Sequence, residues 1–506
     1  MLALAVRNTA KLVREKSKSE NVRLGRLFTK KDTARIMADM IRIDPTKTAY
    51  TVLDPGAGTG ILSAAVVERI CKSAPNCRQI FLTCYENDPA FLPMLEDNLE
   101  RIRKKCRHDY DVRLFATVYD ENYIVDVKNH YTVTLYDTVE DKFDIIISNP
   151  PTYMVEKGSP EALAAGGVSM VKLPAAYLFA KIASEHLEAD GQLVVCLPTS
   201  TATAASLTAY RREMAKELSL FRIHLFIGGG KNKKRAIPLK KNIILAYEHS
   251  TKHSDVLIST STDDGSPEKT TYLSPLPYDF VVDAKDGSLT LPKSAEETKI
   301  VKYISDFPET LGSIGLKMST GLVVDSKCKK IIFDTPELAS IPLIRQNTIR
   351  GGMIRFPAEG VKGQYLMPLE SALFQRNKNM LVIKRIPAKS DARFLNCAVY
   401  FAGQRPSDRF ISTHNKVNFI DTKDKNDEMC ARLVFGLYAL LNSTIYDRYV
   451  SIVSKSKQVN SKEMKLLPLP PKHLIENMGI RLMAGKDLSV TACDKIVNPT
   501  LHIIEK

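Results

Sequence analysis

A doubly wound α/β sheet followed by a second, mixed α+β domain is the fold class this sequence predicts, and three observations carry that expectation. Short β-branched runs alternate with longer helical patterns through the first half of the chain, which is how parallel strands joined by crossover helices read in sequence. The first of those strands passes into a glycine-rich turn, Asp54-Pro55-Gly56-Ala57-Gly58-Thr59-Gly60, with an apolar helix starting at Ile61. Between about His249 and Ser294 the composition shifts to Ser, Thr, Asp, Lys and Pro, as connecting segments do.

The elements follow in order. Residues 1–50 read as an N-terminal helical segment, residues 51–250 as the sheet domain, 251–294 as a linker and 295–506 as the second domain. Strands are expected near Thr51 to Asp54, Ile80 to Glu86, Val112 to Val118, Phe143 to Ser148, Gln192 to Leu197, Phe221 to Phe226 and Asn242 to Tyr247, seven in one sheet. The last two are joined by a loop with no room for a crossover helix, so they should pair antiparallel while the others run parallel. The second domain mixes short strands and turns, then a helical run from Asn426 to Leu441 and a Pro-rich stretch from Leu467 to Pro471. No internal repeat is evident.

Composition bounds the class. At roughly 150 residues per domain, 506 residues suggest two or three domains, and 44% apolar with 25% charged residues is ordinary for a globular chain. The longest wholly apolar run, Leu433 to Leu441, is nine residues, about half of what a membrane-spanning helix needs, so no membrane partner is expected. Met1 to Val6 meets Arg7, Lys11, Arg14 and Lys16 at once, without the layout of a signal peptide. Nine cysteines without a CxxC pair point to no zinc site and no disulfide framework, so no metal is expected and a reducing cytoplasm is the expected location.

Charge says more. Of the formal net +15, the stretch Ile341 to Ile420 supplies +9, from thirteen Lys or Arg against four Asp or Glu. A second cluster, Lys231, Lys233, Lys234, Arg235, Lys240 and Lys241, follows Gly228-Gly229-Gly230 with no acidic residue between. Either alone reads as a solvated surface. Together they favour a polyanion, and nucleic acid in particular, whose phosphates bind Lys and Arg with release of counterions.

Three strand ends carry the chemistry. Gly56, Gly58 and Gly60 let backbone approach a ligand at a helix N-terminus, but their spacing, GxGxG, lacks the third glycine of a dinucleotide fingerprint. The second strand ends in Tyr85-Glu86-Asn87-Asp88, and a carboxylate there normally holds ribose hydroxyls, so an adenosine-bearing cofactor is implied; a plain solvent-exposed acid is the rival reading. The fourth strand ends in Ser148-Asn149-Pro150-Pro151. Proline cannot continue the ladder, so Asn149 stands at the carboxyl edge where ligands bind such sheets. The side-chain oxygen of Asn149 and the rigid carbonyl of Pro150 can together accept the two hydrogens of an exocyclic amine. That localises its lone pair for attack on a sulfonium methyl, with catalysis by positioning and preorganised acceptors.

With these residues in this order the sequence resembles the S-adenosylmethionine-dependent amino-methyltransferases, specifically gamma-class DNA adenine-N6 methyltransferases. The resemblance implies a Rossmann-like class I methyltransferase sheet, S-adenosylmethionine as cofactor and duplex DNA as substrate. Leu24-Gly25-Arg26-Leu27-Phe28-Thr29 is similar to the motif whose aromatic and Thr contact the methionine part of the cofactor. Asp54, Gly56, Gly58 and Gly60 match the first cofactor motif and Glu86 the ribose acid, while Asp120 or Asn122 falls beside the cofactor adenine. Asn149, Pro150 and Pro151 match the catalytic motif. Thr320 to Asp325, Leu381 to Arg385, and Gln458 to Pro470 resemble the C-terminal region of PstI/BsuBI-like type II modification methylases, so the likeness covers most of the chain. It implies a C-terminal target-recognition domain and a restriction-modification setting whose endonuclease is a separate chain. Arg345, Arg350, Arg376 and Arg405 are candidate base readers there, with Lys231 to Lys241 clamping phosphates.

One departure stands out. The family places an aromatic directly after Asn-Pro-Pro to stack on the flipped base; here Thr152 holds that position and Tyr153 follows it. Ile237 likewise sits where some members carry an aromatic. Two rivals therefore stand beside the DNA methyltransferase: a catalytically weakened DNA-binding homologue, and a protein-glutamine methyltransferase, which would not need so basic a second domain.

Overall fold

The computed structural model describes residues 1–15, 29–127, 142–156, 158–164, 174–228, 239–262, 269–387, 391, 393–454 and 458–501. They divide into two units, one reaching Lys293 and the other beginning at Ser294. Phe28, Lys231, Lys233, Lys234, Arg235 and Ile237 lie outside the described residues, as does the side chain of Lys240.

In the first unit, helices α1 (Leu2–Glu15) and α2 (Lys31–Asp39) precede strand β1 (Ala49–Asp54). Next come α3 (Ile61–Ser73), β2 (Gln79–Tyr85), α4 (Leu92–Tyr110), β3 (Arg113–Tyr119) and β4 (Phe143–Ser148). Then follow α5 (Pro160–Ala164), α6 (Ala175–Ser184), β5 (Leu187–Pro198), α7 (Thr208–Met214), β6 (Leu218–Ile227) and β7 (Leu239–His249). The sheet runs β3-β2-β1-β4-β5-β7-β6 through these strands. Strands β1 to β5 are mutually parallel, and β7 is antiparallel to both β5 and β6.

Burial on both faces explains the sequence of the central strands. Ile145, Ile146 and Ile147 are each at most 1% exposed, as are Leu193, Val194 and Val195, so apolar runs replace alternation. Each such side chain contributes about 1.5–3 kcal/mol by leaving water. One face packs under α1, α2, α3 and α4, the other under α6 and α7.

Two expectations are corrected. The sheet has nine strands rather than seven, because β8 (Leu257–Ser261) adds parallel to β6 and β9 (Thr271–Tyr272) adds antiparallel to β8. Residues 251–294 are accordingly no linker over their described length: they supply β8 and β9 and pack Val256, Leu276, Val281 and Leu291 into the core of the first unit. Their polar composition reflects alternation: His224 of β6 is buried with Nδ1 and Nε2 each 2.9 Å from the hydroxyls of Ser259 and Ser261, so β8 buries hydroxyls where a core strand buries methyls.

The second unit holds a six-stranded and a five-stranded sheet. The six-stranded one centres on Met380–Lys384 paired with Cys397–Tyr400 and Val417–Thr422. Helices α8 (Ala295–Ser305), α9 (Ala431–Asn442), α10 (Thr444–Val453), α11 (Lys472–Gly485) and α12 (Val490–Thr500) complete it. A Cβ at Gly436 would lie 1.9 Å from the Ile475 carbonyl oxygen, and one at Gly479 1.8 Å from that of Arg432, so only glycine lets α9 and α11 cross this closely. No helix among the described residues is long and apolar enough to cross a membrane.

Candidate functional site

The carboxyl ends of β1, β2 and β4 are neighbours because β1 pairs with both other strands. At the end of β1 the chain turns through Gly58 (φ +56°) and Gly60 (φ +80°) into α3. Both need the left-handed region, and a Cβ at Gly60 would come within 2.9 Å of the Leu95 side chain. Gly56 has ordinary φ, and a Cβ there would meet only the Phe179 ring at 3.8 Å, an ordinary contact.

The loop is pinned from outside. The Thr59 hydroxyl shares a 2.7 Å hydrogen bond with that of Thr9 on α1, and the Thr59 carbonyl accepts the Asn98 amide of α4 at 2.8 Å. Asn98 in turn accepts from Asn8 at 2.9 Å. All four side chains are buried, so helices far apart in sequence fix the shape of the glycine turn.

Asp54 is wholly buried. Its Oδ2 accepts the Ser63 hydroxyl at 2.7 Å, and its Oδ1 makes no hydrogen bond. Burial pushes its carboxyl up to about 7, opposed by the Ser63 hydroxyl. An orphaned oxygen on a buried acid is costly and suits a ligand ammonium or hydroxyl. Glu86, half-buried just past β2, accepts the N–H groups of Gly58 at 2.7 Å and Asp88 at 2.8 Å. Burial raises its carboxyl above the usual range, against those two N–H donors.

Past β3, Asp120 is exposed, whereas Asn122 caps a turn by accepting the Ile124 N–H at 3.1 Å. Its amide donates to Glu161 of α5 at 3.0 Å. The same Glu161 oxygen accepts the Tyr153 hydroxyl at 3.2 Å. One carboxylate therefore joins the segment after β3 to the segment after β4. Partial burial opposes it, but hydrogen bonds including those from Ser159, Asn122 and Tyr153 hold its carboxyl below the ordinary range.

At the end of β4, Ser148 and Pro150 are buried and Asn149 is half-buried. Its amide nitrogen donates to the Thr29 hydroxyl at 3.1 Å. With the nitrogen so engaged, the side-chain oxygen of Asn149 is turned away from Thr29 and offers an oriented acceptor. Thr152 is exposed and Tyr153 is 46% exposed, its backbone carbonyl held by the Ala175 N–H at 2.8 Å. Burial, then the Glu161 charge, push the Tyr153 hydroxyl up to about 12.

The four candidate arginines of the second unit divide. Arg345 donates to the Gly363 carbonyl at 2.6 Å and pairs with Asp325 at 2.6 Å. Arg405 pairs with Asp408, and its guanidinium lies 4.8 Å from the centre of the Phe356 ring. Both therefore have partners within their own unit. Arg350 and Arg376 are exposed, with single contacts to the Glu359 carbonyl at 2.9 Å and the Asn426 side chain at 3.3 Å. Arg350 flanks a two-residue turn, Gly351 (φ +59°) and Gly352 (φ +78°), whose other strand leads to the exposed Arg355. In the first unit, Lys241 is exposed on β7.

Sequence reasoning missed Thr9, Asn98, Ser63 and Glu161. Ser63 was within reach, as the one polar residue in the apolar stretch Ile61 to Val67 that opens α3. The others act across long separations and leave no local signal.

The antiparallel β7 inserted between β5 and β6, the pinned glycine turn and the Asn-Pro-Pro strand end define a class I methyltransferase fold. The family model described as Eco57I restriction-modification methylase matches residues 78–232. Type II methyltransferase M.PstI of Providencia stuartii is 24% identical over 492 residues, covering 95% of this chain and 94% of its own. Type II methyltransferase M.BsuBI of Bacillus subtilis is 26% identical over 475 residues, covering 92% of this chain and 90% of its own. Among solved structures, the Type IIL restriction-modification enzyme MmeI in complex with DNA aligns with a TM-score of 0.49 at 11% identity, over 100% of this chain and 74% of that one. The chain is thus similar to PstI/BsuBI-like restriction-modification methylases over nearly its whole length.

Proposed function

We propose that this chain is a site-specific DNA adenine-N6 methyltransferase that transfers a methyl group from S-adenosylmethionine to an adenine flipped out of duplex DNA, as the modification part of a restriction-modification system. The observation that carries the reading is Asn149, held by Thr29 at the carboxyl end of β4, with the glycine turn at the end of the adjacent β1. An amine flanked by the Asn149 oxygen and the Pro150 carbonyl loses delocalisation into the purine ring and gains nucleophilicity. Pro151 keeps that carbonyl fixed.

The residues present suit the cofactor. Gly56, Gly58 and Gly60 leave room for it, Glu86 suits ribose hydroxyls, and Asn122 or Asp120 would hold its adenine. The orphaned Asp54 oxygen suits its ammonium, and Phe28 and Thr29 its methionine part. When bound, the cofactor supplies an electrophilic sulfonium methyl. Tyr153 offers the ring for the flipped base in place of Thr152, since the target amine is inaccessible inside a duplex. Lys231, Lys233, Lys234, Arg235, Lys240 and Lys241 supply phosphate contacts, and Arg350 and Arg376, being exposed, are better base readers than Arg345 and Arg405. A cytoplasmic location and a separately encoded endonuclease complete the reading.

The test is transfer of labelled methyl from S-adenosylmethionine to duplex DNA by the purified chain, followed by nucleoside analysis. N6-methyladenine is expected; label in cytosine or in protein glutamine would contradict the reading. Thr152 favours the second reading, a DNA-binding homologue with weakened turnover, which predicts cofactor and DNA binding without product.

A further inference from the structure

The geometry points to a homodimer formed by antiparallel pairing of β3 with β3 of a second copy, which would continue the sheet across a two-fold axis. Among the described residues β3 bonds to β2 on one side and to no strand on the other. An edge of seven residues exposes a row of N–H and C=O groups that template another strand unless blunted. Among the described residues no blunting device is present: Arg113-Leu-Phe-Ala-Thr-Val-Tyr119 has no proline, pairs with β2 without a bulge and carries its one charge at the end.

The side chains around this edge are unfinished in the same way. Phe115 stacks on Phe81 at 5.1 Å and Tyr119 on Tyr85 at 4.9 Å, yet Phe115 is 47% exposed, Phe81 42% and Tyr119 38%. A groove of about 980 Å³ runs along this edge, lined by Leu114, Phe115 and Thr117 and by the basic side chains Arg103, Lys104, Arg107 and His108 of α4.

Charge complementarity selects a second copy as the occupant. At 100° per residue, Glu96, Asp97 and Glu100 fall on the same side of α4 as Arg103, Lys104 and Arg107. That side is acidic in its first half and basic in its second. A two-fold axis sets two such helices antiparallel, so each basic half lies beside the other copy's acidic half. The present partners of these residues are exposed intrahelical pairs, such as Arg103 with Glu100 at 3.0 Å and Arg107 with Asp111 at 2.7 Å, which are weak enough to be exchanged. Placing Thr117 on the axis sets Phe115 opposite Tyr119 of the second copy, twice by symmetry, and cross-strand aromatic pairs are among the stabilising ones. The inference is independent of the proposed activity.

The test uses the full chain in sedimentation velocity across a concentration series. A concentration-dependent dimer is expected. Thr117→Lys and Thr117→Glu, each at an exposed position outside the candidate site, should weaken self-association about tenfold or more by setting like charges opposite each other. Mixing the two variants should restore the dimer as a Lys–Glu heteropair. A wild-type monomer at every concentration, a dimer indifferent to both substitutions, or a mixture that stays monomeric would overturn the pairing.

Discussion

Asp54 gives the account a quantitative handle. Its buried carboxyl titrates near 7 rather than at the model-peptide value of 3.8. In the free protein the sign is that of a raised acid: its contribution to stability is fully present below about pH 4 and is lost as pH rises through about 7. A displacement of that size corresponds to on the order of 4 kcal/mol. Cofactor binding should reverse that penalty, because an ammonium against the orphaned Oδ1 favours the ionised form. At pH 6 a carboxyl titrating at 7 is about nine-tenths protonated, so binding should release close to one proton. From pH 6.5 to pH 5 cofactor affinity should fall about twentyfold, a range chosen because an α-amino group stays charged throughout it. Titration calorimetry in two buffers of different ionisation enthalpy counts the protons directly. Asp54→Asn should abolish the release and flatten the pH dependence, while Glu86→Gln, which removes the other raised acid, should leave most of it. Binding at pH 6 without proton release, or an unchanged pH slope in Asp54→Asn, would refute the reasoning.

Thr29→Val should lower kcat about tenfold, because it frees the Asn149 amide from a bond of about 1 kcal/mol and from its orientation; Thr29→Ser should restore kcat in steady-state assays. Tyr153→Phe should stay within a few-fold of wild type, since it loses only the bond to Glu161, whereas Tyr153→Ala should cost roughly 1 to 3 kcal/mol of kcat/KM with duplex substrate through lost stacking. Arg350→Ala or Arg376→Ala should selectively weaken the preferred site at fixed salt by roughly 1 to 3 kcal/mol. Arg345→Ala should instead lower the Tm, since it breaks the Asp325 pair, and equal effects of all three on site preference would contradict this division.

How much of this was legible in the sequence depends on what each residue answers to. Gly58, Gly60 and the Pro150-Pro151 pair act on their own backbone, so the ends of β1 and β4 could be read locally. The strands β8 and β9 could not, because Ser259 and Ser261 are polar residues satisfied by His224, a partner on another strand. Arg345 and Arg405 look the same in sequence as Arg350 and Arg376. Only the positions of Asp325 and Asp408 separate structural guanidiniums from solvent-facing ones. Glu161 gave no signal, since its meaning comes from lying within reach of both Asn122 and Tyr153. The Asn8, Thr9, Thr59 and Asn98 cluster was invisible for the same reason: it joins α1, the glycine turn and α4 across up to 90 residues.

The claim that Asn149 acts on the target amine, and not on the cofactor, is tested most directly by comparing wild type with Asn149→Ala in two paired measurements: methyl transfer to duplex DNA, and calorimetric binding of S-adenosylmethionine. Loss of one preorganised acceptor should cut the transfer rate by about a hundred- to a thousandfold while the cofactor dissociation constant stays within a few-fold. Near-normal transfer by Asn149→Ala, or loss of cofactor binding in parallel with loss of transfer, would contradict the account.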